Sequence, residues 1–271
     1  MFARLVSSTY HTLIHITPLR ALVRRLRRIP VFRSMTSSLV AAVNSVHGER
    51  VWQKTPVGWM KYEPAWEGIL ATGNPEPECK SVFDDHLHAD TVFYDIGAHI
   101  GFYSLLAAPR VKQVFAFEPD PDNFEVIQEV IARNGLSNVS AFSAAISDSN
   151  GHLEFERSMG LRMSGHIAGV GCDGGDTGER VRVPTFMLDE FCLTHSIPTF
   201  IKIDVEGAEG AVLRGAVNLL RDHHPMLLVE VHREEYLGEV EALLSNYKLT
   251  HLHRPDLPPF PSHYLGIWSR Q

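Results

Sequence analysis

Cysteine is scarce in this 271-residue chain. Cys79, Cys172 and Cys192 are widely spaced and form no local metal-ligand pattern, so a reducing compartment is expected. No uninterrupted apolar run reaches membrane-spanning length, because Arg20 breaks the nearest candidate. Neither a transmembrane helix nor a secretory signal is therefore expected. Internal repeats are absent as well. Acidic residues are nearly missing from residues 1–50, where Glu49 stands alone against eight arginines, a net charge of +7. The whole chain carries -7, so the remaining residues carry -14. An acidic main body argues against a specific nucleic-acid partner.

What the first 50 residues do contain is an amphipathic pattern. Leu19, Leu22, Val23, Leu26 and Ile29 share one helical face, Arg20, Arg24, Arg25, Arg27 and Arg28 take the others, and Pro30 ends the run. Such a stripe suits an anionic membrane surface, an acidic partner or a charged acceptor, or packing on the main domain with the arginines solvated. An acid-poor, Arg- and Ser-containing start also matches an organelle-targeting peptide. The expected location is cytoplasmic, with peripheral contact at a membrane surface through this helix.

Thr91 to Pro119 is the most informative stretch. Thr91 to Ile96 is apolar and β-branched enough for a buried strand, Gly97 and Gly101 follow, and a helical run is expected from Ile100 to Ala108. Gly97 permits a sharp turn off the strand end, and Gly101 permits close approach of the opening helix to the occupant of the turn. Amides at that helix start are expected to face the occupant. A second apolar run, Val114 to Phe117, ends in Glu118, where a strand-end carboxylate reaches two ribose hydroxyls.

The turn itself separates two cofactor classes. A dinucleotide pyrophosphate favours G-x-G-x-x-G, whereas this chain has Ala98 and His99 in place of the middle glycine. Asp95 at the strand end would repel a pyrophosphate and attract an ammonium. S-adenosylmethionine carries such an ammonium, so it is the expected cofactor and an NAD-dependent oxidoreductase is the weaker alternative.

Further along, Asp120 is placed to N-cap a helix over Pro121 to Asn134, with Phe124, Ile127, Val130 and Ile131 on one face and Asn134-Gly135 as the stop. Short strands are expected at Val139 to Ser143 and around Leu153 to Phe155, and a strand–helix unit at Phe200 to about Arg221. Another strand is expected over Met226 to His232. This alternation predicts a doubly wound, mostly parallel sheet with helices on both faces. His263 to Arg270 is expected to form the final edge strand, after a proline-rich connection at Pro255 to Pro261. Residues 158–180, rich in glycine, read as an acceptor-side loop. Trp52, Trp59, Tyr62 and Trp66 precede the first core strand and are expected to close one end of the core, with an aromatic platform for a sugar as the alternative.

The strings DIGAHIGFYS, FAFEPDP, VPTFMLDEF, IKIDVEGAEGAVLRGA and LLVEVH, in this order, resemble the FkbM-type family of S-adenosylmethionine-dependent methyltransferases over roughly residues 85–253. The resemblance implies a class I methyltransferase fold, a Rossmann-like seven-stranded sheet whose last strand is antiparallel. It also implies methyl transfer to a hydroxyl of a sugar, glycan or secondary metabolite. One departure is His99, where the family usually has Asn. On this reading residues 1–50 form the helical extension, 51–84 an aromatic-rich cover segment and 85–271 the methyltransferase domain.

Methyl transfer to an alcohol needs alignment and removal of the acceptor proton. Asp95, Gly97, His99, Gly101, Phe102, Glu118, Pro119, Ala145 and Asp204 are the candidate cofactor contacts. Asp204, Glu206 and His232 are the candidate catalytic residues, with Asp204 nearest the transferred methyl and His232 the general base because imidazole titrates near working pH. No metal is expected; the alternative is a hard divalent ion on Asp204, Glu206 and Glu230. Glu209 serves either the site or only the helix start it occupies. A binding module that keeps the cofactor pocket without turnover is the reading from another functional class.

Overall fold

The computed structural model describes residues 50–64, 67–157, 165–167, 179–253 and 259–269. The amphipathic arginine stripe, Trp66 and most of the glycine-rich stretch lie outside these residues. Among the described residues no helix is long and apolar enough to cross a membrane.

The described residues open with a hairpin, β1 (Val51–Thr55) against β2 (Gly58–Tyr62), and then a helix, α1 (Pro77–His86). Alternation follows: β3 (Val92–Ile96), α2 (Phe102–Ala107), β4 (Gln113–Phe117), α3 (Pro121–Asn134) and β5 (Val139–Phe142). A smaller unit comprises β6 (Ala145–Ile146), β7 (Gly151–Glu156), β8 (His166–Ile167) and β9 (Arg180–Phe186). The second half runs α4 (Leu188–Phe191), β10 (Phe200–Ile203), α5 (Glu209–Arg214), α6 (Val217–His223), β11 (Met226–Val231), α7 (Glu234–Leu243), β12 (Tyr247–Leu252) and β13 (Ser262–Trp268).

Seven strands form the central sheet in the order β12-β13-β11-β10-β3-β4-β5. The pairs from β11 through β5 are parallel, and β13 runs antiparallel to both β11 and β12. The last strand is thus an interior strand, and the edge expected for it belongs to β12. Its side chains explain the placement. Leu265 packs on one face of the sheet and Tyr264 on the other, so β13 needs cover on both sides, whereas β12 alternates toward solvent.

Period-two alternation divides the core in the same way along every central strand. Phe93, Phe200 and Leu228 enter one layer, while Tyr94, Ile201 and Val229 enter the other. The first layer is closed by the segment before β3. Met60, Tyr62, Leu70, Cys79 and Phe83 are buried in it, and the Phe83 ring meets those of Phe93 and Phe200 edge-on. Trp52 packs against this layer as well, and together with Trp59 it flanks the Arg133 guanidinium on α3, at 4.5 and 4.3 Å from their ring centroids.

α3 has the expected boundaries. The Asp120 side chain accepts from the amides of Asp122 and Asn123, Pro121 fills the first position, and Gly135 closes the helix in the left-handed region. Its buried face is Asn123, Val126, Ile127 and Val130, rotated from the expected one, so Phe124 and Ile131 are only half-buried. The helix expected from Ile100 begins at Phe102, because Gly101 caps it at φ 81°. An ideal Cβ at Gly101 would lie 3.3 Å from Ile127 Cγ1, so the close approach at this glycine is to α3 rather than to the occupant of the turn.

Candidate active site

The chain leaves β3 for one side of the sheet and returns through β10 on the other, so the carboxyl ends of β3 and β10 border the switch point of the topology. Gly97 fits this junction uniquely. It sits at φ 79°, and a Cβ there would lie 1.7 Å from the Asp204 carbonyl oxygen. A cavity of about 720 Å³ opens beside it, at the ends of β3, β4, β10 and β11.

One end of the cavity is built by backbone bonds. The amides of Gly97 and Ala98 both donate to the Phe117 carbonyl at 3.0 Å. Glu118 Oε2 accepts from His99 N at 2.8 Å and Oε1 from Asp120 N at 2.9 Å. The amides of Gly97, Ala98 and His99 in the turn are therefore taken by β4 and Glu118. Glu118 lies on the cavity wall with His99, Phe102, Pro119 and Ala145. Burial pushes its carboxyl up to about 7, with His99 and the two amides pulling the other way. Each oxygen retains a lone pair for a further donor, so a ribose diol fits this carboxylate in chemistry as well as in place.

His99 is at φ 53°, a conformation few non-glycine residues adopt. Its Nε2 lies 3.3 Å from Oε1 of Glu67, a fully buried carboxylate that also meets Arg50 at 3.1 Å and accepts from the Glu63 amide at 2.6 Å. Burial opposes the charged imidazole, but Glu67 and Glu118 outweigh it and hold the His99 pKa above its ordinary value. His99 thus fastens the segment before β3 across the glycine turn.

Asp95 and Gly101 are not on the cavity wall. Asp95 is fully buried behind it, where Oδ2 accepts from Ser104 Oγ at 2.7 Å and burial raises its pKa. Its partner across the sheet is Lys202, paired in register on β10. Lys202 is a residue that sequence reasoning passed over, although a lysine inside the apolar run Phe200–Ile203 is itself a signal. It is 2% exposed, donates to Asp204 Oδ2 at 2.7 Å and lies 4.8 Å from the Tyr103 ring centroid. Burial works against its charge, but Asp204, Asp95 and Glu76 keep it protonated.

The opposite end of the cavity is built by side-chain charge. Asp204, Glu206, Glu230 and His232 line it together. His232 Nδ1 contacts Glu209 Oε1 at 2.6 Å, while Nε2 lies 3.6 Å from Asp204 Oδ1 and 3.4 Å from Glu206 Oε2. Burial opposes protonation of His232, yet this ring of carboxylates pushes its pKa up to about 10. The carboxylates thus favour the charged imidazole, which disfavours the role of ready base expected of His232. Asp204 is raised by burial, but Lys202 and His232 hold it well below the ordinary carboxylate range. Glu206, at φ 51°, is pushed up to about 7 by burial and by Asp204, Glu230 and Glu209, against the pull of His232. At the start of α5 the Glu209 Oε1 atom accepts from Gly207 N at 3.0 Å and also contacts His232 Nδ1. For a divalent ion, Asp204, Glu230 and His232 bring ligand atoms within 4.8 Å of one another, with Lys202 already on the second Asp204 oxygen.

The strand order, with an antiparallel seventh strand inserted next to the edge and a cavity at the switch point, defines a Rossmann-like class I methyltransferase fold. The chain belongs to the FkbM methyltransferase family: the Methyltransferase FkbM domain matches residues 95–249, more than half of its length. It is 32% identical over 163 residues to the Hexuronic acid methyltransferase AglP of Haloferax volcanii. That match covers 59% of this chain and 64% of the relative's length. Similar solved structures include the methyltransferase FkbM from Methylobacillus flagellatus, 20% identical with a TM-score of 0.48, covering 65% of this chain and 43% of that one. Another is M. jannaschii TYW2 in complex with AdoMet, 16% identical with a TM-score of 0.48, covering 83% and 88% of the two chains.

Proposed function

We propose that this protein is an S-adenosylmethionine-dependent O-methyltransferase whose acceptor is a hydroxyl of a sugar or glycan, with uronic acid sugars as the first class to test. The observation that carries the reading is one continuous cavity with a buried, donor-seeking carboxylate, Glu118, at one end and Asp204, Glu206 and His232 at the other. The cofactor, when bound, supplies an electrophilic methyl group on a sulfonium. Glu118 holds the ribose end, while Phe102, Pro119 and Ala145 line the same end. Glu206, with a carboxyl that titrates near neutrality, accepts the proton of the acceptor hydroxyl. His232 stays protonated and holds the Glu206 carboxylate in place, and the Lys202–Asp204 pair fixes the end of β10 against the glycine turn. The name of the Haloferax relative points to uronic acid sugars.

The test is incubation of the full chain with S-adenosylmethionine and a panel of uronic acid and neutral oligosaccharides. Release of S-adenosylhomocysteine together with a product heavier by one methylene supports the reading. Cofactor binding without turnover on the whole panel supports a binding module instead.

A further inference from the structure

Behind the acceptor end of the cavity lies a second cluster of side chains that methyl transfer does not use. Glu76 is the residue that precedes α1, and Cys79 is three residues further on, so both project toward the same side. His263 comes from β13, which runs antiparallel beside β11. One ligand atom from each of Glu76, Cys79 and His263 lies within 4.8 Å of the others. Cys79 is fully buried and His263 is 6% exposed. The Nε2 atom of His263 is buried without a hydrogen-bond partner, 3.8 Å from Glu76 Oε2 and 3.5 Å from Glu230 Oε2. A ring nitrogen closed to water and without a hydrogen bond, with a thiol and two carboxylates gathered around it, is a compact set of metal-ligating groups that calls for an explanation.

We infer that Glu76, Cys79 and His263 form a binding site for a zinc-class ion, with the fourth position on the cavity side next to Glu230. Thiolate, imidazole and carboxylate together are the donor set of zinc, and the thiolate disfavours calcium and magnesium. Neighbouring groups are arranged to support such ligands. The Tyr103 hydroxyl donates to Glu76 Oε2, and His263 Nδ1 faces Glu78 Oε1 at 3.6 Å. A bound ion ties α1 to β13 through residues remote in sequence, and thereby fixes the wall that Glu76 and Glu230 contribute to the cavity. The spacing of the three cysteines gives no hint of it, because only one of them takes part.

Cobalt titration of the full chain, stripped with chelator under reducing conditions, tests the inference. One equivalent of Co²⁺ is expected to produce a thiolate-to-metal charge-transfer band and tetrahedral ligand-field bands. Cobalt on Asp204, Glu230 and His232 would give no thiolate band, so the two clusters are distinguishable. Cys79→Ser and His263→Gln, checked for folding by circular dichroism, are each expected to abolish the band. Each should also weaken zinc binding by more than the ~10–100-fold that loss of a supporting partner costs. Cys192→Ser keeps both. A wild-type chain without a thiolate band, or a band that survives Cys79→Ser, overturns the site and leaves a buried polar cluster only.

Discussion

The two ends of the cavity are built by different physics. At the Glu118 end the wall is fixed by main-chain hydrogen bonds over short distances: Gly97 and Ala98 to Phe117, His99 and Asp120 to Glu118. At the Glu206 end it is fixed by charged side chains from β10, α5 and β11, with Lys202 and His232 as cations among Asp204, Glu206, Glu209 and Glu230. The bonds from Gly97 and Ala98 to Phe117 hold regardless of protonation, and among the acceptors at this end only Glu118 titrates. A charge cluster holds its shape only while each ion keeps its partner, and here burial and neighbouring carboxylates push the Glu206 carboxyl upward, while, against burial, carboxylates push the His232 imidazole upward too.

Substitutions at the two ends should therefore fail differently. The largest effect is expected at the junction they share. Gly97→Ala places a Cβ against the Asp204 carbonyl and should destabilise the fold by at least about 4 kcal/mol, read from the denaturation midpoint. An unchanged midpoint would mean that the turn relaxes freely. Next comes Lys202→Met, which strands Asp204 and Asp95 without their shared cation. A loss of about 3 to 5 kcal/mol is expected at neutral pH. Because Asp204 is held below its ordinary range, the stability its pairing gives is present above pH 3.8 and lost as pH falls through the lower folded value, so the variant's deficit should shrink in acid. A deficit independent of pH would detach Lys202 from Asp204.

Smaller effects belong to the Glu118 end. Glu118→Ala should weaken S-adenosylmethionine binding by about 1 to 3 kcal/mol by calorimetry, and should also lower stability, because the amides of His99 and Asp120 lose their acceptor. An unaltered Kd would remove it from the cofactor site. His99→Asn should cost least, about 1 kcal/mol or less, since asparagine tolerates the left-handed backbone better than histidine. The His99 pKa is raised, so its ion pair with Glu67 stabilises fully below pH 6.5 and fades as pH rises through the folded value. Wild type and variant should accordingly differ more at pH 5 than at pH 9. The reverse trend would show that the pair is not charged.

What the sequence made legible follows the same division. α3 was readable from Asp120, Pro121 and Gly135 because capping is local chemistry, and Gly97 and Glu118 were readable because a glycine turn and a strand end are adjacent in the chain. The interior position of β13 was not, since strand order depends on pairing with β11 and β12 across intervening loops. Nor were the partnerships of Glu67 with Arg50 and His99, or of His232 with Glu209, which join residues 17 to 32 positions apart. The sequence points to His232 as base through the ordinary pKa of a histidine, and the strings IKIDVEGAEG and LLVEVH display the four carboxylates without showing that they converge on its ring. Lys202 left a trace, a charge inside an apolar strand, and its meaning came only with Asp95 beside it in register.

The central claim is that acceptor deprotonation falls to Glu206 in the cavity where Glu118 holds the cofactor. Its most direct test is the pH dependence of kcat/KM for the acceptor at saturating cofactor, in wild type and in Glu206→Gln. The wild-type value should rise with pH up to about 7 and then level off. The variant should fall by about 10²–10⁴-fold and lose that limb. Full activity in Glu206→Gln, or a wild-type profile still climbing toward pH 10 where His232 titrates, would contradict the claim and return the proton to the imidazole.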